Sequence, residues 1–230
     1  MKIWHISDTH MLHEQLVIPD GIDVVVHSGD ASNYRDPYLN ESQLIRFLEW
    51  FAKLSIPCKI FVPGNHDTSM EMGLVTKDFA KSLGIEVLIN EELVINEVRF
   101  WGSPYTPTYG DWAYMKSRQK INRVWDFIPD DVDVLITHGP PYGVLDSTYG
   151  YNNKPELAGC SALMKRVVKI NPKLMLFGHI HSVDDIRNSG TRTLSNLQTV
   201  FSNGSCCDDG KMNTITSGGN ILFVKKEDNK

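Results

Sequence analysis

Residues 2–10 read KIWHISDTH, an apolar run of strand character that breaks at its end into Asp8 and His10. The pattern recurs four times. VVVHSGD (24–30) ends on Asp30, KIFVPGNHD (59–67) ends on Asn65, His66 and Asp67, VLITHGPP (134–141) carries His138, and LMLFGHIH (174–181) carries His179 and His181. KIWHI and VVVH are apolar for most of their length rather than alternating, as in strands buried on both faces. Helical spacing separates such runs. Leu44, Ile45, Leu48, Phe51 and Ala52 share a stripe within 41–54, with Asn40 as the expected N-cap, and further helices are expected over 71–83, 116–127 and 162–170. Alternating strands and helices predict a layered α/β fold. Short strands within 87–102, with QTVFS (198–202) and NILFV (220–224) in the tail, predict antiparallel pairing in a second sheet packed on the first.

The composition bounds the class. The chain has 230 residues, 41% of them hydrophobic and 10% aromatic, which suits one domain spanning 1–230 with a well-buried core. A net charge of −5 argues against extended nucleic acid or an anionic membrane as partner. No apolar run is long enough for a membrane span, and the Met1-Lys2 start is followed by no signal-type apolar stretch. Cys58, Cys160, Cys206 and Cys207 show no CxxC spacing, so a thiolate zinc site and a disulfide framework are both unsupported. Adjacent cysteines rarely reach disulfide geometry, and Cys206 with Cys207 reads as a buried strand end. A cytoplasmic location is expected.

Open α/β sheets place ligands in the loops at the carboxyl ends of their strands. Here each such loop carries carboxylate, amide or imidazole: Asp8 and His10, Asp30, Asn65 and His66, His138, His179 and His181. One of these alone signifies little, because a loop histidine or a capping aspartate is common. Five loops together point to a metal centre, and the donor set suits Mn, Fe, Zn, Ni or Co without choosing among them.

The ordered set DTH, GD, GNHD, THGPP and GHIH resembles the signature of the calcineurin-like metallophosphoesterases, from Lys2 to His181. The wording WGSPYTP, VLITHGPP and LMLFGHIH is similar to the branch containing the mammalian brain metallophosphoesterases, which resemble class III cyclic nucleotide phosphodiesterases. The resemblance implies a four-layer α/β/β/α sandwich of two mixed sheets flanked by helices. It also implies two divalent metal ions: one held by Asp8, His10 and His181, the other by Asn65, His138 and His179, with Asp30 bridging. His66 is then a catalytic residue rather than a ligand, with Asp67 either orienting it or serving as a turn residue. The implied activity is a dinuclear metal-dependent phosphodiesterase, in which a hydroxide bridging the metals attacks phosphorus in line and His66 assists the leaving group. Two such ions lower the pKa of a shared water and clamp a phosphoryl oxygen. Two carboxylates against two divalent ions leave about +2, which hydroxide plus a diester monoanion cancels. The expected substrate is a small phosphodiester such as a cyclic nucleotide. A phosphomonoesterase on the same site and a non-catalytic scaffold are the alternatives, although the ligand set that scaffolds tend to lose is complete here.

The chain departs from the family pattern at Met11, where glycine is frequent, and in SVDDIRNSG (182–190), which is unlike the branch's glycine-aromatic run. Tyr105, Tyr109, Trp112 and Tyr114 read either as a wall for a stacked base or as packing of a Pro-rich loop. Arg118 reads as a phosphate contact or a solvated helix-surface residue, and His13 as pocket-lining or solvated. His5 and His27 read as core or supporting histidines rather than ligands.

Overall fold

A computed structural model of the chain describes residues 1–150, 152–183, 185–208 and 212–225. Asp184, within SVDDIRNSG, lies outside the described residues. Strands β1 (Lys2–Ile6), β2 (Val24–His27), β3 (Cys58–Phe61) and β4 (Glu86–Val87) run parallel and adjacent. β5 (Glu91–Ile95) and β6 (Val98–Ser103) start the second sheet, and β7 (Thr106–Pro107) pairs with β8 (Met115–Lys116) as a small ribbon. β9 (Val134–Thr137) returns to the second sheet, and β10 (Ser147–Tyr149) with β11 (Pro155–Leu157) forms a separate hairpin. β12 (Leu174–Phe177), β13 (Gly190–Thr193) and β14 (Val200–Asn203) complete the second sheet, and β15 (Asn220–Phe223) returns to the first. The strand orders are β15-β1-β2-β3-β4 and β13-β14-β12-β9-β6-β5. Both sheets are mixed, each with a parallel centre and antiparallel strands only at its edges.

Alternation along the strands divides the core. Ile3, Val24, Val26 and Ile60 meet Phe100, Val134, Ile136, Leu174 and Leu176 between the two sheets. Trp4, Ile6, Val25 and Phe61 face outward onto Leu44, Phe47, Leu48 and Phe51 of α1 (Pro37–Lys53). Trp101, Leu135, Met175 and Phe177 pack against helices α4 (Asn122–Trp125) and α5 (Ser161–Ile170) on the other outer face. The four layers are therefore helix, sheet, sheet, helix. His5 spans the middle layer, its ring bonded to Ser202 Oγ at 2.7 Å and Ser28 Oγ at 3.0 Å.

Several local expectations need correction. The antiparallel strands of the middle and tail do not form a sheet of their own: β6, β9, β12 and β14 are parallel, and β15 joins the first sheet. The N-cap of α1 is Asp36, whose carboxylate accepts from the Tyr38 and Leu39 amides, so Asn40 lies a turn inside the helix. The helix expected over 71–83 is two short ones, α2 (Thr68–Glu71) and α3 (Lys77–Ser82), with Gly73 at φ 80° between them. The 116–127 pattern yields only the single turn of α4.

Candidate metal centre

The five motif loops leave the carboxyl ends of β1, β2, β3, β9 and β12, and parallel pairing within each sheet brings those ends to one edge of the molecule. Their backbone is tightly constrained. Asp8, His10, Met11, Asp30 and His179 all have φ between 42° and 68°, a left-handed region that non-glycine residues occupy at a cost of order 1–3 kcal/mol each. The loops also approach too closely for side chains at several glycines, Gly64 and Gly178 among them. A Cβ on Gly64 would lie 2.3 Å from Asp30 Oδ1, and one on Gly178 2.1 Å from Asp8 Oδ2.

Two trios result, buried except for the half-buried His179. Donor atoms of Asp8, His10 and His181 lie within 4.8 Å of one another, as do those of Asp30, His138 and His179. In the first, His181 Nε2 stands 3.1 Å from Asp8 Oδ1 and 3.4 Å from His10 Nε2. In the second, His138 Nε2 is 3.3 Å from Asp30 Oδ2 and 2.8 Å from Asn65 Oδ1, which adds the amide to that trio. Three of these imidazoles turn Nδ1 to a backbone carbonyl: His10 to Ser32, His138 to Ser28 and His181 to Asp208. A carbonyl only accepts, so Nδ1–H donates and Nε2 offers its lone pair inward in the neutral ring. That carbonyl–imidazole arrangement is the one that orients histidine toward a metal, and the donor chemistry of each trio fits a divalent cation.

The electrostatics carry the same imprint. Burial alone would raise the carboxyls of Asp8 and Asp30, yet the histidines facing them, His181 and His138, hold both well below the usual range. Burial alone would lower His138 and His181, but Asp30 and Asp8 push each up to about 9. Burial dominates for His10 and His179, which fall to about 4 and about 3. The site thus has two carboxylates that attract positive charge strongly and two imidazoles that stay neutral beside them.

His66 lies against the first trio, its ring edge-on to His10 with centroids 4.9 Å apart and its Nδ1 donating to the Asn33 carbonyl at 3.1 Å. Asp67 makes no contact with that ring. Its carboxylate accepts from the amides of Asp30, Ala31, Ser32 and Gly64 and from Ser32 Oγ, over 2.7–3.2 Å. Burial and the charge of Asp30 push the Asp67 carboxyl up to about 6, and the five donors favour its anion. Its observed place is a brace between the Asp30 and His66 loops.

The aromatic positions separate. Tyr109 meets His179 edge-on at 5.9 Å, Trp112 lies on His66 at 4.1 Å, and Tyr105 packs edge-on to the buried Tyr114 at 5.9 Å. Arg118 is neither on a helix nor simply solvated. Its guanidinium donates to the carbonyls of Gly159 and Ala158, at the rim of a cavity of about 820 Å³ that reaches His179 and His181. Glu156 and Thr148 of the β10–β11 hairpin line the same cavity, and no sequence motif marked them. His13 is fully buried against Phe47 and Trp50, contrary to a solvated or pocket-lining position. His27 is buried with Nε2 on Thr9 Oγ1, in a supporting place.

Supporting residues that motif reading missed include Asn40, Ser32 and Ser205. Asn40 donates to the His66 and Tyr34 carbonyls and to Ser32 Oγ, and accepts from Ser69. Ser205 donates to Asp8 Oδ2 at 2.8 Å. A signal for Asn40 existed, since it falls on the apolar stripe of α1 with Leu44, Phe47 and Phe51.

A two-sheet α/β/β/α sandwich with paired carboxylate–imidazole trios at its strand ends defines a metallophosphoesterase-type protein. The family model for calcineurin-like phosphoesterase matches residues 1–183, and the chain belongs to that family of metal-dependent, generally hydrolytic phosphoesterases. It is 32% identical to a UPF0046 protein of Caenorhabditis elegans over 99% of this chain and 76% of that protein. It is 31% identical to human Metallophosphoesterase domain-containing protein 1 over 86% of this chain, and spans 66% of the human protein's length, which supports the branch likeness. The 3′,5′-cyclic adenosine monophosphate phosphodiesterase CpdA of Escherichia coli is 23% identical over 96% of this chain and 84% of its own. Among the described residues, no helix is long and apolar enough to cross a membrane.

Proposed function

We propose that the chain is a single-domain, dinuclear metal-dependent phosphodiesterase acting on a small diester, with a cyclic nucleotide as the leading substrate class. The observation that carries this reading is the pair of trios, each joining one carboxylate to two imidazoles. Asp8, His10 and His181 hold one cation; Asn65, His138 and His179 hold the other; Asp30 serves both. When bound, two such ions supply Lewis-acid polarisation of the phosphoryl group and activation of water near neutral pH.

The chain's own groups do the rest. The Asn33 carbonyl fixes a proton on His66 Nδ1, so Nε2 carries a proton only in the imidazolium form and gives it to the leaving alkoxide from that state. Asp67 and Asn40 keep the Asp30 and His66 loops in register. A cavity of about 820 Å³ has room for an organic group beyond the phosphate. Among the described residues, its charged side chains besides histidine are Arg118 and Glu156, which make no basic track for long nucleic acid. The likeness to CpdA, a 3′,5′-cyclic adenosine monophosphate phosphodiesterase, supports the cyclic nucleotide class, and a cytoplasmic location accords with that substrate.

The test sets metal-loaded protein (Mn, Fe, Zn, Ni or Co) against bis(p-nitrophenyl) phosphate, p-nitrophenyl phosphate and 2′,3′- and 3′,5′-cyclic nucleotides. Diester turnover exceeding monoester turnover, and falling roughly 10²–10⁴-fold in His66→Ala, is expected. Faster monoester turnover would establish a phosphatase instead, and silence toward every diester would remove the reading.

A further inference from the structure

Trp112 comes from the loop that the β7–β8 ribbon closes, through Thr106 N–H to the Tyr114 carbonyl and Thr108 N–H to the Lys116 carbonyl. That loop is tied to the motif loop beneath it: Ala113 N–H donates to the Asn65 carbonyl at 3.2 Å, and Tyr114 N–H to Glu71 at 2.7 Å. Between those anchors the half-buried Trp112 indole lies on the His66 ring, with centroids 4.1 Å apart and planes 31° apart. The indole does not line the large cavity, although Tyr109 of the same loop does. The Arg35 guanidinium stands 5.4 Å from the Trp112 ring centre and pairs with the neighbouring Asp111 at 2.9 Å, which adds an exposed clasp across the loop.

Among the described residues His66 has one hydrogen bond from its ring, at Nδ1, and a ring held at one atom can still swing about that bond. A flat indole against its face removes that freedom, and the edge contact with His10 limits the ring from another side. We propose that Trp112 is a positioning residue for His66: it sets the plane of the imidazole and so the direction of Nε2, and it does not stack on substrate. This rests on the catalytic reading of His66 given above.

The experiment compares the metal-loaded full chain with Trp112→Ala, Trp112→Phe, His66→Ala and the Trp112→Ala/His66→Ala double variant on bis(p-nitrophenyl) phosphate. In Trp112→Ala, kcat is expected to fall on the order of 10–100-fold with KM nearly unchanged, since misplacement of a catalytic group acts on the chemical step. Trp112→Phe is expected to recover most of the loss, and the double variant to be no slower than His66→Ala. A raised KM with unchanged kcat would overturn the proposal in favour of a stacking wall for substrate. A Trp112→Ala loss that persists undiminished in the His66→Ala background would overturn it in favour of a general structural role. An unchanged kcat in His66→Ala would remove the catalytic role of His66 itself, and the proposal with it. Trp112→Leu, which fills the space without an aromatic face, serves if the alanine variant does not fold. A metal-free readout accompanies it: the His66 ring-proton resonances are expected to lose their ring-current shift in Trp112→Leu, and resonances that stay in place would overturn the proposal.

Discussion

Replacing Asp67 by alanine separates two accounts of the GNHD aspartate. In the structure its two oxygens receive four backbone amides and one hydroxyl, all buried, from the Asp30–Ser32 segment and from Gly64. Alanine removes both acceptor oxygens at once and leaves the four buried amides without that partner, while Ser32 Oγ retains the His66 carbonyl. Each buried donor left unsatisfied costs about 1–3 kcal/mol, and the costs do not add fully because the loops relax together. A total of about 3–5 kcal/mol is therefore expected. For a chain of this size that corresponds to a fall in Tm of roughly 6–20 °C. The assay is urea unfolding of the metal-free variant, with metal content after loading measured alongside. Asp67→Asn keeps the shape and one acceptor oxygen, so its loss is expected to be smaller. An Asp67→Ala protein of wild-type stability and metal content, with only kcat reduced, would refute the brace and return Asp67 to the role of orienting His66.

Three further outcomes follow from particular residues. Burial holds the His13 imidazole down at about 4, and neither ring nitrogen has a hydrogen-bond partner among the described residues. The unfolded chain therefore binds more protons between about pH 6.5 and 4. The contribution is fully present above 6.5 and is lost as pH falls through that window, by up to on the order of 3 kcal/mol. His13→Phe is expected to flatten that limb of a stability-against-pH curve, and an unaltered curve would contradict the assignment. Gly178→Ala is expected to cost metal content at the Asp8 trio, because the added methyl overlaps both Asp8 Oδ2 and Ser7 Oγ; retained stoichiometry would show the loop can give way. Asp36→Ala is expected to lower unfolding stability by about 1 kcal/mol, as removal of the α1 N-cap should, and an unchanged urea midpoint would contradict the cap.

How much of this was legible depends on what each residue answers to. The ligand-type side chains were readable because each ends an apolar strand, and parallel sheets leave only their carboxyl ends to carry such groups. The two-sheet core was readable for the same reason, since β2 and β9 are apolar for most of their length. Sheet membership was not. Nothing local in NILFV tells it to return to β1 rather than pair with QTVFS; after β14 the chain crosses to the first sheet where Ser205 bridges Ser7, and β15 then pairs with β1. Asn40 was misread because Asn is favoured at helix starts, whereas here tertiary hydrogen bonds to the His66 loop outweigh that preference. Asp67 and Arg118 each left two readings open in the sequence. Their charges suggested chemistry, but both are engaged with backbone groups that no single sequence displays. Glu156 carries no signal at all, because a hairpin strand becomes a cavity wall only through the fold.

The central claim is that two cations bind in two distinguishable trios. Its most direct test is metal content per folded chain by inductively coupled plasma mass spectrometry, after loading and removal of excess ion, for wild type, His181→Ala and His138→Ala. About two ions per chain in the wild type and about one in each variant is the expected result. One ion or none in the wild type, or two in both variants, would contradict the account.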